Sequence, residues 1–154
     1  MDRIIVMNTR LFALGAFGCA TLLTVACSSQ ATGPSVIDAD APTEFTQTDS
    51  GLKYRILRKS NGRKPTARDS VRVDYSGWLD DGSVFDSSYE NREPVTFKLG
   101  GVIAGWTEGL QLIGEGGMIE LEIPSQLGYG EEGQRPNIPP NSTLHFKIEL
   151  MAIE

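Results

Sequence analysis

The chain has 154 residues, 40% of them hydrophobic and 22% charged, and its 20 acidic against 14 basic side chains give a formal net charge of −6. That length supports one domain rather than two. The acidic balance, with no basic stripe, excludes a nucleic-acid partner, whose phosphates require clustered Lys and Arg.

The N-terminus does not belong to the fold. Arg3 and Arg10 precede an uncharged apolar run, Leu11–Ala26, that ends in LLTVAC followed by Ser28 and Ser29. A positive start, a short apolar core and small residues at its end describe an export signal. The run is also shorter than the roughly 20 apolar residues of a spanning helix. Met7 is a second possible start. LLTVAC resembles a bacterial lipobox, with Thr24 as a departure, so residues 1–26 are expected to form a lipoprotein signal peptide and Cys27 to be lipidated. An ordinary secreted protein cut nearby is the alternative. Cys19 lies in the discarded part, which leaves no internal disulfide to form. Ser28 resembles the outer-membrane sorting pattern. The expected location is therefore the cell envelope, on the periplasmic face of the outer membrane, held to the membrane by a lipid anchor.

Residues 27–47 are small, polar and Pro-bearing and read as a flexible tether. They lack the heptad pattern of a dimerising helix, so a monomer is expected. The domain is placed at residues 48–154. Leu52–Ile56 alternates as a half-buried strand. Val71–Tyr75 alternates again and extends through Trp78 and Leu79. Asp80-Asp81-Gly82 is a hairpin turn, followed by Val84-Phe85, a polar bulge DSSYENRE, and Val95–Leu99. Trp106, Leu110 and Ile113 are spaced i, i+4, i+7 on one helical face, with Gly114 expected as its left-handed cap. Ile119–Ile123 and Leu144–Leu150 alternate cleanly, acids or bases outward and branched residues inward. Between them runs a Gly- and Pro-rich loop, Pro124–Ser142, of a length that is usually functional. Short strands, one helix and no βαβ rhythm define an α+β fold: an antiparallel, strongly curved sheet, a half-barrel wrapped around one short α-helix.

The aromatics converge on that helix, and the segments that carry them are recognisable. VRVDYSGWLDDGSVFDSS, PVTFKLGGVIAGWTEGLQLIGEGG and IPSQLGYGEEGQRPNIPPNSTLHFKIELM resemble the FKBP-type peptidyl-prolyl isomerases, from about Thr48 to Glu154. Four blocks, YxGxLxDGxxFDSS, VIxGWxEGL, YG and IPPNxTLxF, recur in order. The resemblance implies a pocket whose catalytic residues are Tyr75, Phe85, Asp86, Trp106, Tyr129 and Phe146. Val95, Phe97, Val102, Ile103 and Ile138 would contact the substrate. Trp106 would floor the pocket, and Ile103 N–H and the Tyr129 hydroxyl would donate to ligand carbonyls. Asp86 would sit at the rim, although it could instead cap the Ser87-Ser88 turn or pair with Arg92.

The resemblance further implies a prolyl isomerase acting on proline-containing polypeptides, with macrolides as possible inhibitors and no cofactor. It departs from the family at Val95, where an aromatic is usual, and in the flap at Gln134, Arg135 and Asn137. A non-catalytic module that grips proline segments, or a chaperone, is the rival reading. His145, the only histidine, is read on an outward strand position and is no basis for a metal site or a triad.

Overall fold

The computed structural model describes residues 36–154. The expected signal peptide, Cys19 and Cys27 lie outside the described residues, as does the start of the tether.

Among the described residues seven strands build one antiparallel sheet: β1 (Thr46–Gln47), β2 (Lys53–Arg58), β3 (Ser70–Trp78), β4 (Val84–Ser87), β5 (Val95–Lys98), β6 (Met118–Ile123) and β7 (Leu144–Ile153). Their order is β1-β2-β6-β7-β3-β4, with β5 also on β3. The period of two decides which face is buried. In β3, Val71, Val73, Tyr75 and Gly77 point inward, and in β7 Leu144, Phe146, Ile148 and Leu150 do the same. The opposite face is polar. There Lys53 pairs with Glu122 at 2.6 Å, Arg55 with Glu120 at 2.7 Å, and Arg58 with Glu149, all cross-strand contacts on β2, β6 and β7.

The seven-residue helix α2 (Ala104–Leu110) lies against the inner face. Two glycines one turn apart let it come close. A Cβ on Gly105 would stand 2.6 Å from an Ile123 methyl, and one on Gly109 would stand 2.7 Å from Leu121. The small residue beside the indole thus serves helix-on-strand packing. The bulge between β4 and β5 is a single helical turn, α1 (Ser88–Asn91), ending at Arg92 with a φ of 54°. The Asp80-Asp81-Gly82 turn forms as expected, with Gly82 at φ 83°.

Two expectations change. Gly114 is not a left-handed cap: α2 ends at Leu110, and Gln111 keeps right-handed helical geometry. Gly114 is needed for contact instead, because a Cβ there would meet the Gly62 carbonyl oxygen at 2.2 Å. Backbone pairing also begins before Thr48. Thr46 and Gln47 pair with β2, and Asp38 N–H donates to the Leu57 carbonyl at 2.8 Å. Lys59 N–H donates to the Asp38 carboxylate at 2.7 Å, and the Arg55 guanidinium lies 4.9 Å from the Phe45 ring centroid. The expected boundary at Thr48 therefore falls inside paired backbone, since the free edge of β2 offers the preceding residues its carbonyls and Arg55 offers Phe45 a charge.

Candidate functional site

The concave face and the Pro124–Ser142 loop enclose a cavity of about 630 Å³. Its floor is Trp106, 4% exposed, on the first turn of α2. Three aromatic rings stand nearly perpendicular to the indole: Tyr75 at 5.1 Å, Phe146 at 5.2 Å and Phe97 at 5.5 Å between centroids. Each edge-to-face pair contributes about 0.5–1.5 kcal/mol beyond burial, so the floor and its wall are mutually fixed. Phe85 stands edge-on to Phe146 at 5.4 Å and closes the side.

Strand parity explains this convergence. Tyr75, Phe97 and Phe146 are inward positions of β3, β5 and β7. The register pairs Gly77 with Phe146 across β3 and β7. Gly77 is also where Phe85 and Phe146 meet, for a Cβ there would touch both rings at 2.7 Å. The motif's glycine is thus a wall residue that the sequence reading left without a role. Its signal was present, because Gly77 continues the inward series Val71, Val73, Tyr75.

Asp86 stands exposed at the rim and accepts a hydrogen bond from the Tyr75 hydroxyl at 2.6 Å. It neither caps the serine turn nor pairs with Arg92, the two structural roles open to it from sequence. Burial pushes the Tyr75 phenol up from its ordinary value, and the hydrogen bond and negative charge of Asp86 add to the rise. Burial and then the Asp86 charge raise Tyr129 as well. Both phenols stay protonated and remain donors across the neutral range.

Among the expected site residues, Tyr75, Phe85, Asp86, Phe97, Val102, Ile103, Trp106, Tyr129, Ile138 and Phe146 all line the cavity, and Val95 does not. Val95 begins β5 opposite Val73 and packs against the core from the sheet edge. Ile103 N–H makes no hydrogen bond among the described residues, while its carbonyl accepts from Trp106 and Thr107. Gly101, Gln134, Arg135, Pro136 and Asn137 also line the cavity. They bring an amide-rich, cationic lip to an otherwise apolar hollow. His145 sits outside it, paired with Asp80 at 2.7 Å and stacked on Trp78. Among the described residues no group of His, Cys, Asp or Glu side chains is arranged to hold a metal ion.

A half-closed antiparallel sheet around a short helix, with an aromatic cavity floored by an indole, defines the FKBP class of fold. Residues 61–151 match the family described as FKBP-type peptidyl-prolyl cis-trans isomerase, and the chain belongs to that family. It is 45% identical over 130 residues to the FKBP-type isomerase FkpA of Escherichia coli K12, covering 84% of this chain and 48% of that protein. It is 52% identical over 106 residues to a probable FkpA of Neisseria meningitidis, covering 69% of this chain and 39% of that protein. The crystal structure of Escherichia coli FkpA superposes with a TM-score of 0.71 at 46% identity, over 73% of this chain and 53% of that one. The structure of AtFKBP13 gives 0.66 at 35% identity, over 72% of this chain and 99% of that one. The chain spans about half the length of the curated FkpA relatives it matches.

Proposed function

We propose that the chain isomerises the peptide bond preceding proline in polypeptide substrates. One observation carries the reading: an open cavity of about 630 Å³ whose floor and walls are mutually braced aromatic rings. Rotation about an X–Pro bond meets a barrier of about 18–20 kcal/mol because amide resonance keeps it planar. Water strengthens that resonance by solvating the negatively polarised carbonyl oxygen. The twisted transition state has lost the resonance and much of the charge separation. A dry hollow that seats the pyrrolidine ring over Trp106 favours the twisted form over the planar one.

Tyr129 and Ile103 N–H are placed to hold the flanking carbonyls. The Asp86 carboxylate, fixed by Tyr75, acts on the dipole of the turning amide. No proton moves and no covalent bond forms. The uncatalysed event takes about 10–100 s, slow enough to limit the folding of a protein arriving in the envelope.

The same proposal places the protein in the cell envelope, anchored through an acylated Cys27. Its support is the basic start, the short apolar run and LLTVAC. More than one acyl chain gives stable anchoring where a single chain is marginal. The Cys27→Ser variant is expected in the soluble fraction, with the parent in the membrane fraction; equal partitioning contradicts the anchor.

The activity is tested with an Ala-Leu-Pro-Phe peptide in a protease-coupled assay. Acceleration proportional to protein concentration is the expected result. Peptide binding without acceleration supports the proline-gripping module instead.

A further inference from the structure

The outer edge of β3 is covered in two pieces. β4 pairs with Ser76, Gly77 and Trp78, and β5 pairs with Ser70–Val73. Between them, at Asp74 and Tyr75, the described residues place no strand, because the chain there turns through α1. An uncovered N–H and carbonyl at a buried residue are costly unless something else bonds them. Two side chains do so. Ser88 Oγ accepts the Tyr75 N–H at 2.9 Å, and Ser87 Oγ donates to the Tyr75 carbonyl at 3.3 Å. Ser88 is only 1% exposed and Ser87 8%.

The hydroxyl of Ser88 has one proton, and that proton goes to the Asp74 carboxylate at 2.8 Å. A bond to a charged acceptor is the stronger one. It turns the oxygen lone pairs of Ser88 toward the Tyr75 N–H. Two residues back, Asp86 accepts the Tyr75 hydroxyl at 2.6 Å. Three consecutive residues, Asp86, Ser87 and Ser88, thus grip one tyrosine at its phenol, its carbonyl and its N–H.

We propose that Ser88, oriented by Asp74, is a positioning residue for the Tyr75–Asp86 pair and so sets the rate of isomerisation. The inference rests on the isomerase reading above. A shift of β3 at Tyr75 moves the phenol relative to Asp86. Ser88 touches neither substrate nor reacting bond and acts only through Tyr75.

The test is a cycle of Ser88→Ala and Tyr75→Phe, with kcat/KM on the peptide and Tm measured for each protein. In the parent, Ser88→Ala is expected to lower kcat about tenfold with KM nearly unchanged. In the Tyr75→Phe background the same change lowers kcat less than about twofold, because the phenol–carboxylate bond it served is gone. The Tm loss is equal in both backgrounds. Equal activity losses in both backgrounds, or a Tm loss with activity intact, overturn the proposal. If Ser88→Ala does not fold, Asp74→Ala removes the orienting carboxylate from the partly exposed side and is expected to show the same background dependence at a smaller fold-change. A background-independent result there overturns the proposal too. An inactive parent refutes the isomerase reading; an active parent with background-independent losses refutes the clamp alone.

Discussion

The cavity has two sides built in opposite ways. On one side Tyr75, Trp106 and Phe146 are buried on sheet and helix, and each ring braces another. On the other, the Pro124–Ser142 loop brings Gln134, Arg135 and Asn137, exposed and polar, and of its lining residues only Ile138 is buried. That loop is held by backbone bonds of its own, such as the reciprocal pair between Gln134 and Ile138 at 2.7–2.8 Å. A wall that cannot repack suits a step requiring fixed geometry. An exposed lip suits the choice among sequences that flank the proline. If the proposed isomerase reading holds, chemistry and selection are separable, and mutations on the two sides are expected to act on different observables.

The largest effect belongs to the wall. Truncating a buried aromatic anchor costs at least about 2 kcal/mol, so Trp106→Leu is expected to lower kcat/KM about 30-fold or more in the peptide assay. Phe85→Ala and Asp86→Val follow, each lowering turnover about tenfold with the circular-dichroism spectrum of the parent retained. Parent-like activity in both variants contradicts the site.

Stability answers to the wall's supports and not to the lip. Gly105→Ala forces a methyl against Ile123, which is fully buried, at a cost of about 1–3 kcal/mol. A Tm several degrees below the parent is expected in calorimetry. The same substitution at Gly101, where a Cβ meets nothing within 4 Å, should leave Tm nearly unchanged.

The Tyr75 phenol, raised above its ordinary value of 10.0 by burial and by Asp86, contributes stability that is complete below about pH 10 and is lost as the pH rises further. Tyr75→Phe should therefore flatten the decline of the urea midpoint as the pH is raised above about 10. An unchanged slope contradicts a buried, Asp86-bonded phenol.

The smallest effect belongs to the lip. Arg135 forms no ion pair among the described residues and lines the cavity. Exposed pairs contribute at most about 1 kcal/mol. Arg135→Glu should accordingly shift the preference between Glu and Lys beside the proline by only about two- to fivefold, and that shift should fade with added salt.

Much of this plan was legible in the sequence, because periodicity and burial are coupled. Strict alternation in IELEI and LHFKIEL placed β6 and β7, and the i, i+4 spacing of Trp106 and Leu110 placed α2. The aromatic set was legible for the same reason: inward parity on three strands points at one helix. What stayed hidden depends on contacts between segments far apart in the chain. A glycine at position 114 looks like a helix cap until the Gly62 carbonyl is seen against it. Val95 resembles a pocket residue by motif position, but in space its side chain packs against the core at the edge of the sheet. Ser87 and Ser88 look like turn residues because the gap they fill in the edge of β3 exists only once β4 and β5 have parted. The earlier start of ordered pairing likewise depends on Arg55 and Lys59 reaching back to Phe45 and Asp38.

The most direct test is exchange NMR with a peptide carrying isotope-labelled proline. Seating over the indole predicts that cis and trans signals broaden and exchange in proportion to the protein added, with contacts from the pyrrolidine protons to the Trp106 ring in the same sample. Exchange at the uncatalysed rate, or acceleration with proline contacts that bypass Trp106, contradicts the account.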